Sequence, residues 1–221
     1  MNAGEGDRLD MRANFRSVMA GIGVIALAAG SVSCGNVSRQ GRSPALLIVE
    51  NVQGARGSAA GSFSDFLLSD VQVLVDQVVN GQTVRVPVFF NDVGQATFRV
   101  VLKDQGTGGL GVAPSTLNSV TLSRYHIVFR RADGRNTPGV DVPFPVDGAI
   151  TATIASAPIA VAFEMVRHQA KLEQPLRSLA NFGGRLFIST LAEITFYGSD
   201  LAGNEIQATG NISVSFADYA D

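Results

Sequence analysis

Residues 96–102, with the sequence ATFRVVL, place an apolar side chain at every second position, from Ala96 to Leu102. A period of two predicts a β-strand with one face on a core. The same period recurs along the chain, at Val71/Val73/Val75, Val84/Val86/Val88, Tyr125/Ile127/Phe129, Ile150/Ala152/Ile154, Ile194/Phe196 and Ile212/Val214/Phe216. The sequence therefore predicts an all-β fold.

Three dipeptides between these runs predict tight turns, namely Asn80-Gly81, Asp133-Gly134 and Asp147-Gly148. Asn, Asp and Gly tolerate the positive φ angles of a hairpin turn, so neighbouring strands should be antiparallel. The apolar phase slips between Leu122 and Tyr125, which predicts a β-bulge. Short strands at this spacing favour a single antiparallel β-sandwich over residues 45–221.

Two stretches are ambiguous between strand and helix. Residues 63–79 have an apolar spacing that a helix starting near Ser64 would also explain. Residues 159–179 begin with strand-like alternation and continue with a polar half, in which Pro175 would interrupt a helix. We expect a strand followed by a loop there.

The N-terminal part of the chain has the pattern of an export signal. Residues 18–32 are apolar and almost uncharged, and Arg12 and Arg16 precede them. This stretch of 15 residues is shorter than the roughly 20 that a membrane-spanning helix needs, which favours a cleaved signal over residues 1–33. Met11 opens a short basic segment and is the expected translation start in place of Met1.

Residues 31–35, Ser-Val-Ser-Cys-Gly, resemble a bacterial lipobox, although Ser31 stands where that family usually has Leu. The resemblance implies cleavage before Cys34, a diacylglyceryl group on its thiol, and a membrane-bound protein of the cell envelope. Gly35 follows the cysteine, and family usage then implies the outer membrane if the cell is Gram-negative. Residues 34–44 would form a flexible tether.

Near the C-terminus, residues 194–205 are similar to the closing hairpin of bacterial immunoglobulin-like domains, which often carry an Asp-x-x-Gly-Asn turn. Here that turn is Asp200, Gly203 and Asn204. The resemblance implies an immunoglobulin-like β-sandwich. Asp200, Asn204 and Glu205 also offer oxygen ligands for calcium, but we expect a turn, because such side chains commonly bind their own backbone. No cofactor beyond the lipid at Cys34 is predicted.

The composition removes several classes of function. The net charge of −2 gives no electrostatic reason to expect nucleic-acid binding. With two histidines, His126 and His168, and one cysteine, a three-histidine metal site and catalysis by a cysteine of the mature domain are excluded. No Gly-x-Ser-x-Gly occurs, and the glycine-rich residues 106–111 lack a following Lys-Ser/Thr. An enzyme is therefore not expected.

The expected function is a binding or structural module, with an envelope protein or a carbohydrate as possible partner. Arginine and tyrosine are common in interfaces. The candidate partner surface consists of Arg124, Tyr125, Arg130, Arg131 and the neighbouring Arg135.

Two alternative functions stay open, a hydrolase and a carrier, and a site shared by Glu164 and His168 is not expected. A hydrolase of envelope polymers would need clustered carboxylates, such as Asp141, Asp147 and Glu164. A carrier of an apolar ligand would need an interior cavity. Glu164 and His168 would lie about 13 Å apart on one strand, too far for a shared site.

Overall fold

A computed structural model describes residues 41–104 and 113–219. Cys34, the predicted signal peptide, residues 34–40 of the predicted tether and the glycine-rich residues 106–111 lie outside the described residues. The compact β-domain begins at Ser43. Ser43 is buried, and the carbonyl of Pro44 accepts a hydrogen bond from the Lys103 amide at 2.9 Å, so these last two residues of the predicted tether belong to the domain.

The described part of the domain consists of ten strands, one short α-helix and three 3₁₀ turns. The 3₁₀ turns are Gly57–Ala59, Thr116–Asn118 and Leu176–Leu179. The other elements are β1 (Ala45–Ala55), β2 (Phe66–Asp70), β3 (Val73–Val79), β4 (Gln82–Val88), β5 (Asp92–Leu102), β6 (Val120–Arg130), β7 (Val146–Ile154), β8 (Ile159–Val166), α1 (His168–Leu172), β9 (Phe187–Asp200) and β10 (Glu205–Ala217).

The strands form two larger sheets and a separate hairpin. One sheet has the order β1-β5-β8, the other has the order β2-β10-β9-β6-β7, and β3 pairs with β4 alone. The prediction of an all-β, antiparallel architecture is confirmed, with one exception. Strand β2 runs parallel to β10, from the Phe66–Ser213 pair to the Asp70–Ala217 pair.

The two larger sheets share one apolar core. Phe98 of β5 meets Phe196 of β9 edge to face, with ring centroids 4.8 Å apart. Phe163 of β8 lies 5.1 Å from Tyr125 of β6. Such aromatic pairs add to the stabilisation from burial itself. The alternating apolar positions of β5, β6, β7, β9 and β10 thus supply the core from both sheets. The core face predicted for Val84, Val86 and Val88 is wrong, because these residues lie on the separate β3-β4 hairpin, where they are exposed or half-buried.

The predicted turns have three different outcomes. Asn80-Gly81 joins β3 to β4, with φ angles of 52° and 78°, as a tight hairpin requires. Gly134 forms a turn, but β7 begins only at Val146, so no tight hairpin follows it. The turn predicted at Asp147-Gly148 is wrong, because both residues lie inside β7. Gly148 sits there because the ring of its cross-strand partner Tyr125 occupies the space that a side chain would fill.

The predicted β-bulge is confirmed. The register of β6 shifts between Leu122 and Arg124, both against β7 and against β9. The extra residue restores the inward phase, so Leu122 and Tyr125 both face the core.

Residues 63–79 and 159–179, whose sequence fits either a strand or a helix, have different structures. Between the two alternatives for residues 63–79, the strand is confirmed and the helix near Ser64 does not form, because residues 66–70 form β2 and residues 73–79 form β3. The strand predicted from Ile159 is confirmed, but the following loop is wrong, because α1 and the 3₁₀ turn Leu176–Leu179 occupy it. Lys171, Leu176 and Leu179 are buried, and burying one side of this segment favours helical turns. No helix in the described ranges is long and apolar enough to cross a bilayer.

Candidate functional site

A cleft of about 510 Å³ opens where β7 begins, β8 ends and α1 starts. Its volume is in the range of ligand pockets, and its lining mixes charged, polar and aromatic groups. The lining residues are Phe144, Pro145, Val146, Glu164, Arg167, His168, Gln169, Ala170 and Glu173. This cleft is the candidate functional site.

The guanidinium of Arg167 is held by two strands at the wall of the cleft. Its Nε donates a hydrogen bond to Oε2 of Glu164 on β8, at 3.1 Å. Its Nη2 donates to the main-chain carbonyl of Asp147 on β7. Because the planar guanidinium is fixed by two partners, its remaining N–H groups have a defined direction.

The imidazole of His168 is oriented by Asn91. Oδ1 of Asn91 accepts a hydrogen bond from the His168 main-chain amide at 2.6 Å and lies 2.8 Å from the ring Nδ1. An amide N–H can only donate, so the Asn91 atom facing it is the oxygen and Nδ1 must also donate. In the neutral ring this leaves Nε2 as a hydrogen-bond acceptor.

The expectation that Glu164 and His168 lie on the same strand is wrong. Strand β8 ends at Val166, and His168 begins α1, so the chain turns between them and both residues line the cleft. They do not pair with each other in the described contacts. Glu164 binds Arg167, and His168 binds Asn91.

The aromatic ring at the rim of the cleft belongs to Phe144, which is 53% exposed. The far end of this ring packs against Gly139, where an added Cβ would lie 2.4 Å from the ring Cζ. Gly139 also has a φ of +75°, a conformation that glycine adopts without strain. The absence of a side chain at Gly139 therefore leaves room for the Phe144 ring to pack there.

The carboxylates considered for a hydrolase have separate partners. Asp141 accepts a hydrogen bond from the Thr137 amide at 3.2 Å, and Asp147 lies 2.9 Å from Nδ1 of His126. Glu164 is paired with Arg167. In residues 41–104 and 113–219, no group of three or more His, Cys, Asp or Glu side chains is placed to hold a metal ion.

Tyr125 does not belong to an exposed partner surface, so that prediction is wrong. The residue is 3% exposed, and its hydroxyl donates a hydrogen bond to the main-chain carbonyl of Glu164 at 2.9 Å. Burial and the nearby Glu164 carboxylate raise the pKa of Tyr125 above its ordinary value. Its inward direction follows from the bulge in β6, and its hydroxyl supports the strand that carries Glu164.

The arginines of the predicted partner surface lie outside the core, each with a partner. The Arg124 guanidinium stacks 3.7 Å above the Tyr197 ring, and Arg130 pairs with Glu193. Hydrogen bonds from Arg131 and Arg135 lower the pKa of Asp133 far below its ordinary value. Arg130 and Arg131 also line a second cleft of about 340 Å³, together with Ala132, Ser189, Thr190, Leu191 and Ser213.

The predicted Asp200 turn joins β9 to β10. Oδ1 of Asp200 accepts from the amides of Ala202 and Asn204, at 3.0 and 2.8 Å, and Oδ2 accepts from the Asn204 side chain at 2.9 Å. Burial raises the pKa of Asp200, but hydrogen bonds from Asn204, Ser43 and Ala202 together outweigh this, so the net shift of the pKa is downward. Glu205 begins β10, paired in register with Ser199. Both carboxylate oxygens of Asp200 thus serve the turn.

Sequence reasoning missed Phe144, Arg167 and Glu173 as members of the cleft. Arg167 is adjacent to His168 in the sequence, but only the end of β8 shows that it faces Glu164 and β7. No sequence pattern indicated that Phe144 lines the cleft, because this residue lies in an irregular segment before β7.

Comparisons with known proteins identify no family. No protein-family description matches the chain, and no curated protein matches it. Among solved structures, the X-ray structure of a Northeast Structural Genomics Consortium target is similar over 79% of this chain and 86% of that chain. The sequence identity is 12% and the TM-score is 0.31.

Proposed function

We propose that this protein is a lipid-anchored lipoprotein of the bacterial cell envelope, and that its β-domain acts as a binding module. The observation that carries the proposal is Cys34, the chain's single cysteine, at the end of an apolar segment and inside a lipobox-like sequence. A lone cysteine in an exported protein has no intramolecular disulfide partner, and lipidation explains its presence. Two or three acyl chains would hold the protein stably.

The start of the domain supports a position close to the membrane. Ser43, its first residue, follows Cys34 by nine residues, a segment that spans about 30 Å when fully extended. The β-domain would therefore face envelope components near the bilayer. Gly35 favours the outer membrane if the cell is Gram-negative.

A binding role is supported by the cleft between β7, β8 and α1. Arg167 is held by Glu164 and the Asp147 carbonyl, and His168 is held by Asn91. Such preorganised groups lose little entropy when a ligand binds. A hydrolase gains no comparable support, since Glu164 and Asp147 each have a basic partner. An apolar-ligand carrier is not favoured by a lining that contains Arg167, Glu164 and Glu173. An envelope protein or a carbohydrate remains the expected partner, and nucleic acid is not.

An immunoglobulin-like sandwich is our proposal for the domain type. It is supported by the two sheets that share a core and by the Asp200 turn between β9 and β10. Domains of this architecture serve adhesion, spacing and ligand binding alike, so the architecture does not select the ligand.

The experiment that tests the anchor is intact-mass analysis of protein extracted from membranes, for wild type and Cys34→Ala. We expect an acylated mature chain that starts at Cys34, and loss of both acylation and membrane association in the variant. Ser38→Ala, in the predicted tether, is the matched control and should be processed like wild type. An unmodified wild-type chain recovered in the soluble fraction would contradict the proposal.

A further inference from the structure

We propose that the cleft between β7, β8 and α1 binds a neutral saccharide of the cell envelope, with Phe144 as the stacking platform and Arg167 and His168 as hydrogen-bonding groups. This inference rests on the proposed binding function and specifies its ligand class.

Phe144 exposes an aromatic ring in a cleft that is also lined by the polar side chains of Arg167 and His168. The Phe144 side chain is 53% exposed and packs one end of its ring against Gly139, so it offers an apolar surface at the cleft. A pyranose ring has an apolar C–H face and hydroxyl groups around its edge. Stacking that face on Phe144 buries apolar surface on both partners and leaves the hydroxyls directed toward the cleft wall.

The wall of the cleft carries both hydrogen-bond donors and hydrogen-bond acceptors. Arg167 uses Nε and Nη2 for Glu164 and Asp147, and its other N–H groups have no partner in the described contacts. His168 offers Nε2 as an acceptor, because Asn91 binds its Nδ1. The carboxylate of Glu173 and the amide of Gln169 also line the cleft. Hydroxyl groups both donate and accept, so they suit such a mixed wall.

The charge of the cleft favours a neutral ligand over an anionic one. Arg167 is already neutralised by Glu164, and Glu173 adds a further negative charge. An anionic ligand would face repulsion from Glu173 without an unpaired cation among the lining residues to offset it. Phosphate-rich and uronate-rich polymers are therefore disfavoured relative to neutral hexose or N-acetylhexosamine chains.

The test uses the full lipidated protein in a detergent without a sugar headgroup. The probes are short oligomers of N-acetylglucosamine, glucose, galactose and mannose, presented on an array and followed by calorimetric titration. We expect saturable binding to at least one of these oligomers. Phe144→Ala should weaken it by about tenfold, which corresponds to about 1.4 kcal/mol. Arg167→Lys should weaken it as well, because an ammonium cannot reproduce the planar fork.

Phe187→Ala is the matched control, because Phe187 is also an exposed phenylalanine, on β9 and outside the cleft lining. It should bind like wild type, and melting curves should show that all variants are folded. Binding to none of the neutral oligomers would overturn the inference, as would a preference for polyuronate or polyphosphate probes. Equal binding by wild type, Phe144→Ala and Arg167→Lys would overturn it too. The mass analysis at Cys34 tests the lipid anchor independently, so a lack of saccharide binding would not count against lipidation.

Discussion

Nζ of Lys171 lies 2.9 Å from Oδ2 of Asp92, and both side chains are buried, with exposures of 1% and 0%. Asp92 accepts two further hydrogen bonds, from the Ser69 hydroxyl at 2.6 Å and from the Gly57 amide at 2.9 Å. The pair joins α1 to β5 through the interior of the domain. Because α1 also carries His168 and Gln169, this ion pair fixes one wall of the candidate cleft.

Lys171→Met should destabilise the domain by about 3–5 kcal/mol, because it leaves the Asp92 carboxylate buried without its cation. The double variant Lys171→Met/Asp92→Asn should recover part of that loss, since it removes both charges and keeps an oxygen that can accept hydrogen bonds from Ser69 and Gly57. Denaturant unfolding followed by circular dichroism measures both effects.

The control for Lys171→Met is Arg85→Met. Arg85 pairs with Asp76 on the exposed hairpin β3-β4, where the side chains are 52% and 68% exposed, so its loss should cost less than about 1 kcal/mol. A Lys171→Met variant as stable as Arg85→Met would contradict the assignment of a buried, mutually dependent pair.

Gly148→Ala should be strongly destabilising, although Gly148 lies in a regular strand. An added Cβ would lie 2.1–2.4 Å from atoms of the Tyr125 ring, so the ring would have to leave its place. That displacement also removes the hydrogen bond from Tyr125 to the carbonyl of Glu164. We expect a loss of about 1–3 kcal/mol, as for other overpacked cores, measured by thermal and denaturant unfolding.

Ala149→Ser is the matched control for Gly148→Ala, because Ala149 is the next residue of β7 and is exposed. Its effect should stay within about 0.5 kcal/mol. If Gly148→Ala and Ala149→Ser unfold at the same denaturant concentration, the packing of Tyr125 on Gly148 is not required for stability.

The strands of the core could be predicted because their apolar period is local. Phe98, Ile127 and Val214 are each fully buried, as the alternation requires, and the bulge after Leu122 follows from the same phase. The parallel pairing of β2 with β10 could not be predicted, because no local sequence pattern specifies which distant segment a strand pairs with. The dipeptide Asp147-Gly148 was wrongly predicted to form a turn. Asp-Gly is frequent in turns, but a glycine also occurs inside a strand where an aromatic ring from the neighbouring strand needs the space.

The candidate site could be predicted only in part. A carboxylate and an imidazole four residues apart made Glu164 and His168 candidates, but their common place in the cleft depends on the turn between β8 and α1. Tyr125 beside several arginines suggested an exposed surface, yet the bulge turns it inward. The partners that fix the site, such as Asn91 for His168, lie far away in the sequence, so spacing alone cannot identify them.

Tyr125 should make the domain lose stability at alkaline pH. Its folded pKa is raised above 10.0, so the folded state keeps the proton after the unfolded chain has lost it. This stabilisation is fully present below pH 10 and is lost as the pH rises through the folded pKa. The free energy of unfolding of Tyr125→Phe should therefore fall less steeply above pH 10 than that of wild type. Parallel slopes for the two proteins would contradict the raised pKa.

Asp200→Ala should destabilise the β9–β10 hairpin by about 1–2 kcal/mol at neutral pH, because three hydrogen bonds to the carboxylate disappear. The folded pKa of Asp200 is lowered from 3.8, so its contribution is present above that value and is lost as the pH falls through the folded pKa. The difference between wild type and Asp200→Ala in urea unfolding should therefore shrink in acid. Asp200→Asn, whose Oδ1 still accepts the two backbone hydrogen bonds, should lose less stability.

Added calcium should leave the melting temperature of the wild-type protein unchanged, because both carboxylate oxygens of Asp200 are engaged in the turn. A rise in melting temperature with calcium that Asp200→Ala abolishes would instead establish a cation site there.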